Sequence, residues 1–184
     1  MSIQKNLLYS VRLSPGKPVR RVIMKHTIAV LVENKAGVLS RISGLFARRG
    51  FNIDSLAVGP TDDCKLSRMT IVVDGDEYVA EQVVKQLNKL IDVIKVRKLD
   101  YSDVTIRELV LIKVKVSEKQ RGEIVDIAKI MDCKIVDISH TTLMLEHSDR
   151  PSKIDLLIDL LSKYNIQEVA RTGSIALQKG ASSV

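Results

Sequence analysis

The sequence has few of the residues that build metal, disulfide or nucleophilic sites. Its 184 residues include only two cysteines and three histidines: Cys64, Cys133, His26, His140 and His147. The cysteines form no CxxC pair, and the set has no recognisable zinc-ligand spacing, so no metal site is expected. Isolated cysteines without a secretory context favour reduced thiols in a cytosol-like compartment. No carboxylate pair or activated nucleophile is apparent, which argues against a stand-alone enzyme.

Long apolar runs and aromatic residues are also scarce. No run approaches the ~20 apolar residues that a membrane-spanning helix needs, and no signal-peptide core is visible, so no membrane partner is expected. The chain has four tyrosines, two phenylalanines and no tryptophan. RNA-binding sheets stack bases on strand aromatics, and here the aromatics lack the central-strand pattern. An RNA-binding module therefore remains only a weaker alternative, and no nucleic-acid partner is expected.

Acidic residues are absent from the first 25 positions, which carry six basic side chains: Lys5, Arg12, Lys17, Arg20, Arg21 and Lys25. This segment accounts for most of the formal charge of +7, because 23 basic and 22 acidic residues remain in 26–184. Pro15, Gly16 and Pro18 make regular structure there improbable. We interpret residues 1–25 as a basic N-terminal extension. A partner-binding arm or a plastid-targeting segment are the alternatives, although the segment is poor in serine for targeting.

The most informative stretch that is present runs from Thr27 to Val58. An alternating apolar run from Ile28 to Val32 predicts a strand, and Gly37 ends the loop that follows. Apolar residues then recur at helical spacing as far as Gly50, which can adopt the left-handed conformation that ends a helix. A second strand is predicted from Phe51 to Val58. The loop leaves backbone N–H groups at the helix N-terminus, an arrangement that suits a small carboxylate.

The remainder of the first half completes a βαββαβ order over residues 26–99. A strand is predicted at Lys65–Val73 and a turn at Asp74-Gly75. Asp76 and Glu77 place negative charge at the start of a second helix, and Val93–Leu99 is the last strand. This order is the split βαβ arrangement. A polar connector from Asp100 to Thr105 follows.

The second half repeats the order. Strands are predicted at Val110–Val116, Ile135–Ser139, Thr142–Glu146 and Val169–Leu177, the last interrupted by Gly173. Ser117 and Gln120 have capping-box spacing before one helix, and Pro151 begins another. We therefore predict an α+β chain with two ferredoxin-like domains, at 26–99 and 100–184.

Six segments carry a family resemblance: Glu33–Asp63, Leu66–Glu77, Glu81–Val96, Arg107–Val116, Cys133–Ser139 and Glu168–Leu177. They resemble the regulatory small subunit of acetolactate synthase, also called acetohydroxyacid synthase. The likeness covers about 26–179, and its long first segment is highly specific.

The resemblance implies an ACT domain at 26–99 that forms a homodimer with side-by-side sheets and binds an effector at the ACT–ACT interface. It also implies a catalytic large subunit as partner. That subunit would use thiamine diphosphate, magnesium and FAD to join pyruvate to a second 2-keto acid, with no cofactor in the present chain. In many members of this family, valine binding to the small subunit transmits feedback inhibition in branched-chain amino acid biosynthesis, and the resemblance implies the same here. A cytoplasmic location is expected, and the short bacterial form has no counterpart of residues 1–25.

By the same resemblance, the valine site includes six residues: Asn34, Gly37, Val38, Leu39, Asn52 and Ile53. A zwitterion needs donors for its carboxylate, which N–H groups at Val38 and Leu39 can supply, and acceptors for its ammonium, which the asparagine amides can supply. Without the resemblance, Asn34 and Gly37 would be interpreted as turn residues, and Leu39 and Ile53 as core residues. Another amino-acid-sensing ACT regulator is the remaining alternative.

Overall fold

The computed structural model describes residues 24–181 as two α+β units in sequence. The first contains four strands and two helices: β1 (Met24–Glu33), α1 (Val38–Arg49), β2 (Ile53–Pro60), β3 (Leu66–Gly75), α2 (Glu77–Leu87) and β4 (Val93–Leu99). A single 3₁₀ turn, Tyr101–Asp103, leads to the second unit. That unit contains β5 (Val104–Lys115), α3 (Glu118–Ile130), β6 (Lys134–Ile138), β7 (Thr142–Asp149), α4 (Pro151–Leu161), β8 (Asn165–Arg171) and β9 (Ile175–Gln178).

Both sheets have the strand order of a ferredoxin-like domain. The first is ordered β2-β3-β1-β4 and the second β6-β7-β5-β8, with every neighbouring pair antiparallel. The predicted fold class, α+β with two βαββαβ units, is therefore confirmed. Strand β2 lies at an open edge of the first sheet, a position that becomes important for the candidate site.

Alternation along β1 explains how the first sheet buries both of its faces. Ile28 and Val30 face the helices and pack with Ile42, Phe46 and Leu87 in a fully covered core. The opposite face contains Ala29, which is also buried. It joins a smaller cluster shared between the two units: Ala29, Leu99, Val104, Ile106 and Ala176. Burial on both faces accounts for the continuous apolar run that β1 shows.

The second unit has a separate core beneath α3 and α4. Alternate residues of β5 and β7 are buried in it together with Tyr164. The Tyr164 hydroxyl donates to Glu123 at 2.7 Å, so its polar end is satisfied while its ring is buried. At the start of α3, the Gln120 side-chain oxygen accepts from the Ser117 N–H at 3.4 Å and from its hydroxyl at 2.9 Å. The bond from the Ser117 backbone to the Gln120 side chain that a capping box predicts is therefore present.

Helix α1 ends where the sequence predicts. Gly50 has φ 66°, and the Phe51 N–H donates to the Phe46 carbonyl at 3.0 Å. The two phenylalanine rings meet edge to face with centroids 6.0 Å apart. This is the left-handed helix end that glycine favours, reinforced by the apolar contact that usually accompanies it.

The predicted turn at Asp74-Gly75 is wrong. Both residues belong to β3, where they pair with Lys25 and Met24 of β1. Because β1 begins two residues before the predicted domain boundary, it supplies hydrogen-bond partners that extend the ladder to Gly75. Helix α2 follows directly, with the Asp76 carboxylate accepting from the Val79 N–H at 3.0 Å.

Two predictions near the junction of the units also need correction. The polar connector ends earlier than expected, because Val104 and Thr105 already belong to β5. The predicted strand Val169–Leu177 is two strands, β8 and β9, separated by Gly173 with φ 75°. Strand β9 leaves the second sheet and pairs with the first four residues of β5. The resulting β5–β9 ribbon packs on the first sheet, which explains why a break is needed.

Of the predicted N-terminal extension, only Met24 and Lys25 fall within the described residues, and they belong to β1. The prediction for the remaining 23 positions lies outside the described part of the chain. No helix within 24–181 combines the length and apolar character required to cross a membrane.

Candidate effector-binding site

The loop between β1 and α1 holds the first group of predicted site residues. The Asn34 N–H donates to the Lys65 carbonyl at 2.7 Å, and its side-chain Nδ2 donates to the Cys64 carbonyl at 2.9 Å. These two bonds anchor the loop to the β2–β3 connection. Because the amide nitrogen is used as a donor, the Asn34 Oδ1 acceptor remains for another group.

Gly37 occupies the N-cap position of α1 with φ 86° and ψ −11°. A Cβ placed there would have no heavy atom within 4 Å, so the backbone conformation rather than crowding explains the glycine. The helix has no side-chain N-cap bond and no acidic residue in its first turn. Apart from that of Val38, its first-turn N–H groups therefore have no capping side chain and can face a small anion arriving at this end.

Val38 and Leu39 differ in role, although they are neighbours. The Val38 side chain is buried in the core, and its N–H makes a long bond of 3.4 Å to the Lys35 carbonyl. Leu39 is 44% exposed and projects from the first turn of α1. Leu39 is thus available to contact an aliphatic ligand, whereas Val38 offers only its backbone.

An ion pair that the sequence analysis missed holds this end of α1. Arg41 reaches Asp92 with both carboxylate oxygens engaged, at 2.9 Å from Nε and 3.2 Å from Nη2. Asp92 is buried, and its carbonyl accepts from the Glu33 N–H at 2.9 Å. The ion pair and this backbone bond together tie α1 and the end of β1 to the residue just before β4. No local pattern could have revealed it, because the partners are 51 residues apart.

The second group of predicted residues lies where β2 begins. Asn52 is exposed, and its Nδ2 lies 3.5 Å from Asp74 Oδ2. The other Asp74 oxygen is buried without a hydrogen-bond partner. Ile53 is half-buried against the first core. An asparagine amide beside a partly unsatisfied carboxylate offers acceptors that suit an ammonium group.

One protomer does not bring these two groups together. Glu33 pairs with Leu66, whereas Ile53 pairs with Val73 on the same strand. Leu66 and Val73 are seven residue steps apart along β3, so the two groups are separated by about 23 Å along the strand, from the rise of an antiparallel strand. The loop group and the β2 group thus lie at opposite ends of the sheet.

A separate groove lies elsewhere on the described surface. It has a volume of about 650 Å³ and contains none of the six predicted site residues. It is formed between the β2–β3 side of the first sheet and the β5–β9 ribbon. Within 24–181, no group of three histidine, cysteine, aspartate or glutamate side chains is arranged to hold a metal ion.

Comparison with known proteins assigns both units. Residues 28–95 match the family model described as "AHAS small subunit-like ACT domain", and residues 107–180 match the one described as "Small subunit of acetolactate synthase". The chain belongs to the acetolactate synthase small-subunit family.

Individual relatives agree with this family assignment. The probable acetolactate synthase small subunit of Archaeoglobus fulgidus is 55% identical over 85% of this chain and 98% of its own length. The small subunit of Mycolicibacterium smegmatis is 46% identical over 84% of this chain and 91% of its own. The crystal structure of the Thermotoga maritima small subunit is 38% identical, covers 87% of this chain and all of its own, and superposes with a TM-score of 0.81.

Membership of the acetolactate synthase small-subunit family decides between the classes left open by the sequence. The relatives are named as small subunits, which agrees with the expectation that this chain is not the catalytic one. A small subunit implies a catalytic partner subunit. The ACT assignment of the first unit also disfavours the RNA-binding alternative.

Proposed function

We propose that this chain is the regulatory subunit of acetolactate synthase, that it binds valine through its ACT domain, and that it transmits feedback inhibition to the catalytic subunit. The observation that carries the proposal is the division of the predicted ligand groups between opposite ends of a sheet whose β2 edge is open. A second copy of the chain would bring the two groups of ligand residues together.

A two-fold dimer through β2 would restore a complete site twice. Two β2 strands lying side by side and antiparallel place the start of one beside the end of the other. Asn52 and Ile53 of one copy then approach the Asn34–Leu39 loop of its partner. A two-fold axis makes the contact isologous, so two equivalent sites form. The free backbone groups of the β2 edge also gain partners in this arrangement.

Each part of valine has a matching group in such a site. The carboxylate faces the first-turn N–H groups of α1, next to Gly37, where the helix dipole adds a favourable field. The ammonium is placed near the amide oxygens of Asn34 and Asn52. Leu39 and Ile53 contact the isopropyl group. Discrimination against leucine should be modest, about 1–3 kcal/mol for one methylene in an apolar pocket.

The catalytic subunit would carry the chemistry. By family resemblance it uses thiamine diphosphate, magnesium and FAD, and the present chain supplies no cofactor. The archaeal and bacterial relatives of the present chain support a cytoplasmic location for it. We place the activating contact with the catalytic subunit outside the valine sites, because those sites are occupied by the dimer and its ligand.

Calorimetric titration of the purified chain with valine, leucine and isoleucine tests the ligand. We expect saturable valine binding with one site per protomer, followed by valine-dependent inhibition when the chain is combined with its catalytic subunit. Binding of an unrelated amino acid in place of valine would favour another ACT regulator. Light scattering should give a dimer at micromolar concentration, and a monomer with and without valine would contradict the shared site.

A further inference from the structure

The 650 Å³ groove is built by the contact between the two units. Three hydrogen bonds join β9 and the preceding Ser174 to the first sheet. They run from the Ser174 N–H to Ser55 Oγ at 3.3 Å, from Arg68 Nη2 to the Ala176 carbonyl at 3.0 Å, and from Arg97 Nη1 to Gln178 Oε1 at 2.6 Å. The groove follows this line of contact. Its size and its place at a domain junction are typical of small-molecule sites.

The walls of the groove combine apolar surface with a few polar groups. Ile175 and Leu177 of β9 line it with 58% and 63% of their surfaces exposed, and Val58 of β2 is 48% exposed. Thr70 and Thr105 add hydroxyl groups. No aspartate or glutamate lines the groove. An apolar body with one polar end would therefore match these walls.

Two arginines give the groove its charge. Arg68 donates to the Ala176 carbonyl, and Arg107 Nη1 donates to the carbonyl of its own neighbour, Ile106, at 2.8 Å. Neither makes an ion pair with a carboxylate of residues 24–181. By contrast, Arg41 and Arg171 are paired with the buried carboxylates of Asp92 and Glu108.

Burial lowers the pKa of the half-buried Arg68 guanidinium below its usual value, because its charged form is poorly solvated. An anion brought beside it would compensate for the lost hydration. Two cations without carboxylate partners in a largely apolar groove therefore favour an anionic occupant over a neutral or cationic one.

We propose that this groove binds a small aliphatic carboxylate that has no ammonium group. Its carboxylate would lie between Arg68 and Arg107, and its hydrocarbon part against Ile175 and Leu177. A zwitterion such as valine fits poorly, since its ammonium would lie near two guanidinium groups without an opposing carboxylate. The site shares no residue with the predicted valine site and goes beyond the proposed function without resting on it.

A ligand in the groove would contact both units at once. Strands β2 and β3 supply one wall, and the β5–β9 ribbon supplies the other. A ligand that binds only when the two units are in contact would stabilise that contact by mass action. The groove is thus a second place at which a metabolite could act on the same chain, independently of the β1–α1 loop.

Nuclear magnetic resonance of the full chain with labelled methyl groups tests this proposal, with 3-methylbutanoate as the probe. We expect saturable shifts of the Val58, Ile175 and Leu177 methyl signals, with no competition from valine. The matching amine, 3-methylbutylamine, should bind at least tenfold more weakly. Equal binding of the amine, displacement of the probe by valine, or an absence of shifts at millimolar probe would overturn the proposal.

Two substitutions separate charge from folding. Arg107→Gln removes a cation whose only hydrogen bond within residues 24–181 is to its neighbouring carbonyl, so the fold should be kept, and probe affinity should fall about tenfold. Arg68→Gln should have a similar effect. Arg49→Gln, at the exposed end of α1, is the control and should bind the probe as wild type does. Undiminished probe binding by Arg107→Gln would overturn the proposal. So would methyl shifts that appear on adding the catalytic subunit but not on adding the probe. Valine titration of each variant reports separately on the loop site.

Discussion

At the scale of single residues, Gly37 shows how sequence and structure complement one another. The sequence predicts a loop glycine, and the structure gives the reason, a φ of 86° at the first position before α1. There is open space around its Cα, so a side chain placed there would project toward the proposed carboxylate position rather than into the core. A substitution at Gly37 can therefore weaken ligand binding while the fold is kept.

Gly37→Asp should abolish most valine inhibition. The added carboxylate repels that of valine, and the positive φ disfavours any L side chain. A negative charge at a helix N-terminus is otherwise favourable, so the variant should fold, dimerise and still activate the catalytic subunit. Because allosteric coupling is typically about 1–3 kcal/mol, losing the effector's differential binding removes most of the response.

Inhibition curves of the reconstituted complex provide the measurement. Gly122→Asp introduces the same side chain, without a positive φ, on the exposed side of α3 and should leave valine sensitivity intact. A Gly37→Asp complex as sensitive to valine as wild type would place the effector site away from this loop.

The two cysteines should differ in reactivity. Burial, with a smaller contribution from the charge of Asp132, raises the pKa of the Cys133 thiol to about 11. The folded state thus favours the protonated thiol, and the stability that this contributes is lost as pH rises toward that value. At pH 8 we expect iodoacetamide to modify the exposed Cys64 well before Cys133. Peptide mass spectrometry should show Cys133 labelling rising with pH and becoming comparable to Cys64 in urea; equally fast labelling in the folded protein at pH 8 would contradict the assignment.

At the scale of elements, helix α2 depends on a cap that the sequence only partly revealed. The sequence predicts only a favourable charge from Asp76 near the helix start, whereas the structure shows its carboxylate accepting directly from the Val79 N–H. A direct bond to an otherwise unpaired N–H contributes more than the charge alone.

Asp76→Ala should therefore destabilise α2 by about 1 kcal/mol, which corresponds to a roughly fivefold loss of hydrogen-exchange protection at the first turn. Exchange of the Val79 amide is the direct measurement. Asp62→Ala removes an exposed loop carboxylate and serves as the control, with a change expected below about 0.5 kcal/mol. Equal effects of the two substitutions would show that the cap contributes little.

At the scale of the whole molecule, the ribbon formed by β5 and β9 makes the two units interdependent. Its residues Val104, Ile106 and Ala176 cover Ala29 and Leu99 on the outer face of the ACT sheet. The helix-facing core of that sheet is separate from this contact. Removing the second unit would therefore expose apolar surface without opening the main core.

A fragment ending at Asp100 should still fold and bind valine, but with lower stability than the same unit in the full chain. Its effect on the catalytic subunit should be weakened or altered. Ala176→Asp in the full chain is a milder disruption of the same contact, since Ala176 is buried against the ACT sheet. Calorimetry with valine and assays of the reconstituted complex measure both variants. A fragment that fails to fold or to bind valine would show that the effector site requires the second unit.

The sequence by itself determined the two βαββαβ units, the end of α1 at Gly50 and the relation between Ser117 and Gln120. Each depends on neighbours within a few residues, where periodicity and backbone preference act directly. The family resemblance added the six site residues, but no local pattern could show that Asn34 and Asn52 lie at opposite ends of one sheet. Only the tertiary structure decided that separation, together with the Arg41–Asp92 pair and the path of β9. Periodicity reports that a face such as that of Ala29 is covered, whereas what covers it depends on pairings such as Ile106 with Ala176, which are distant in the chain.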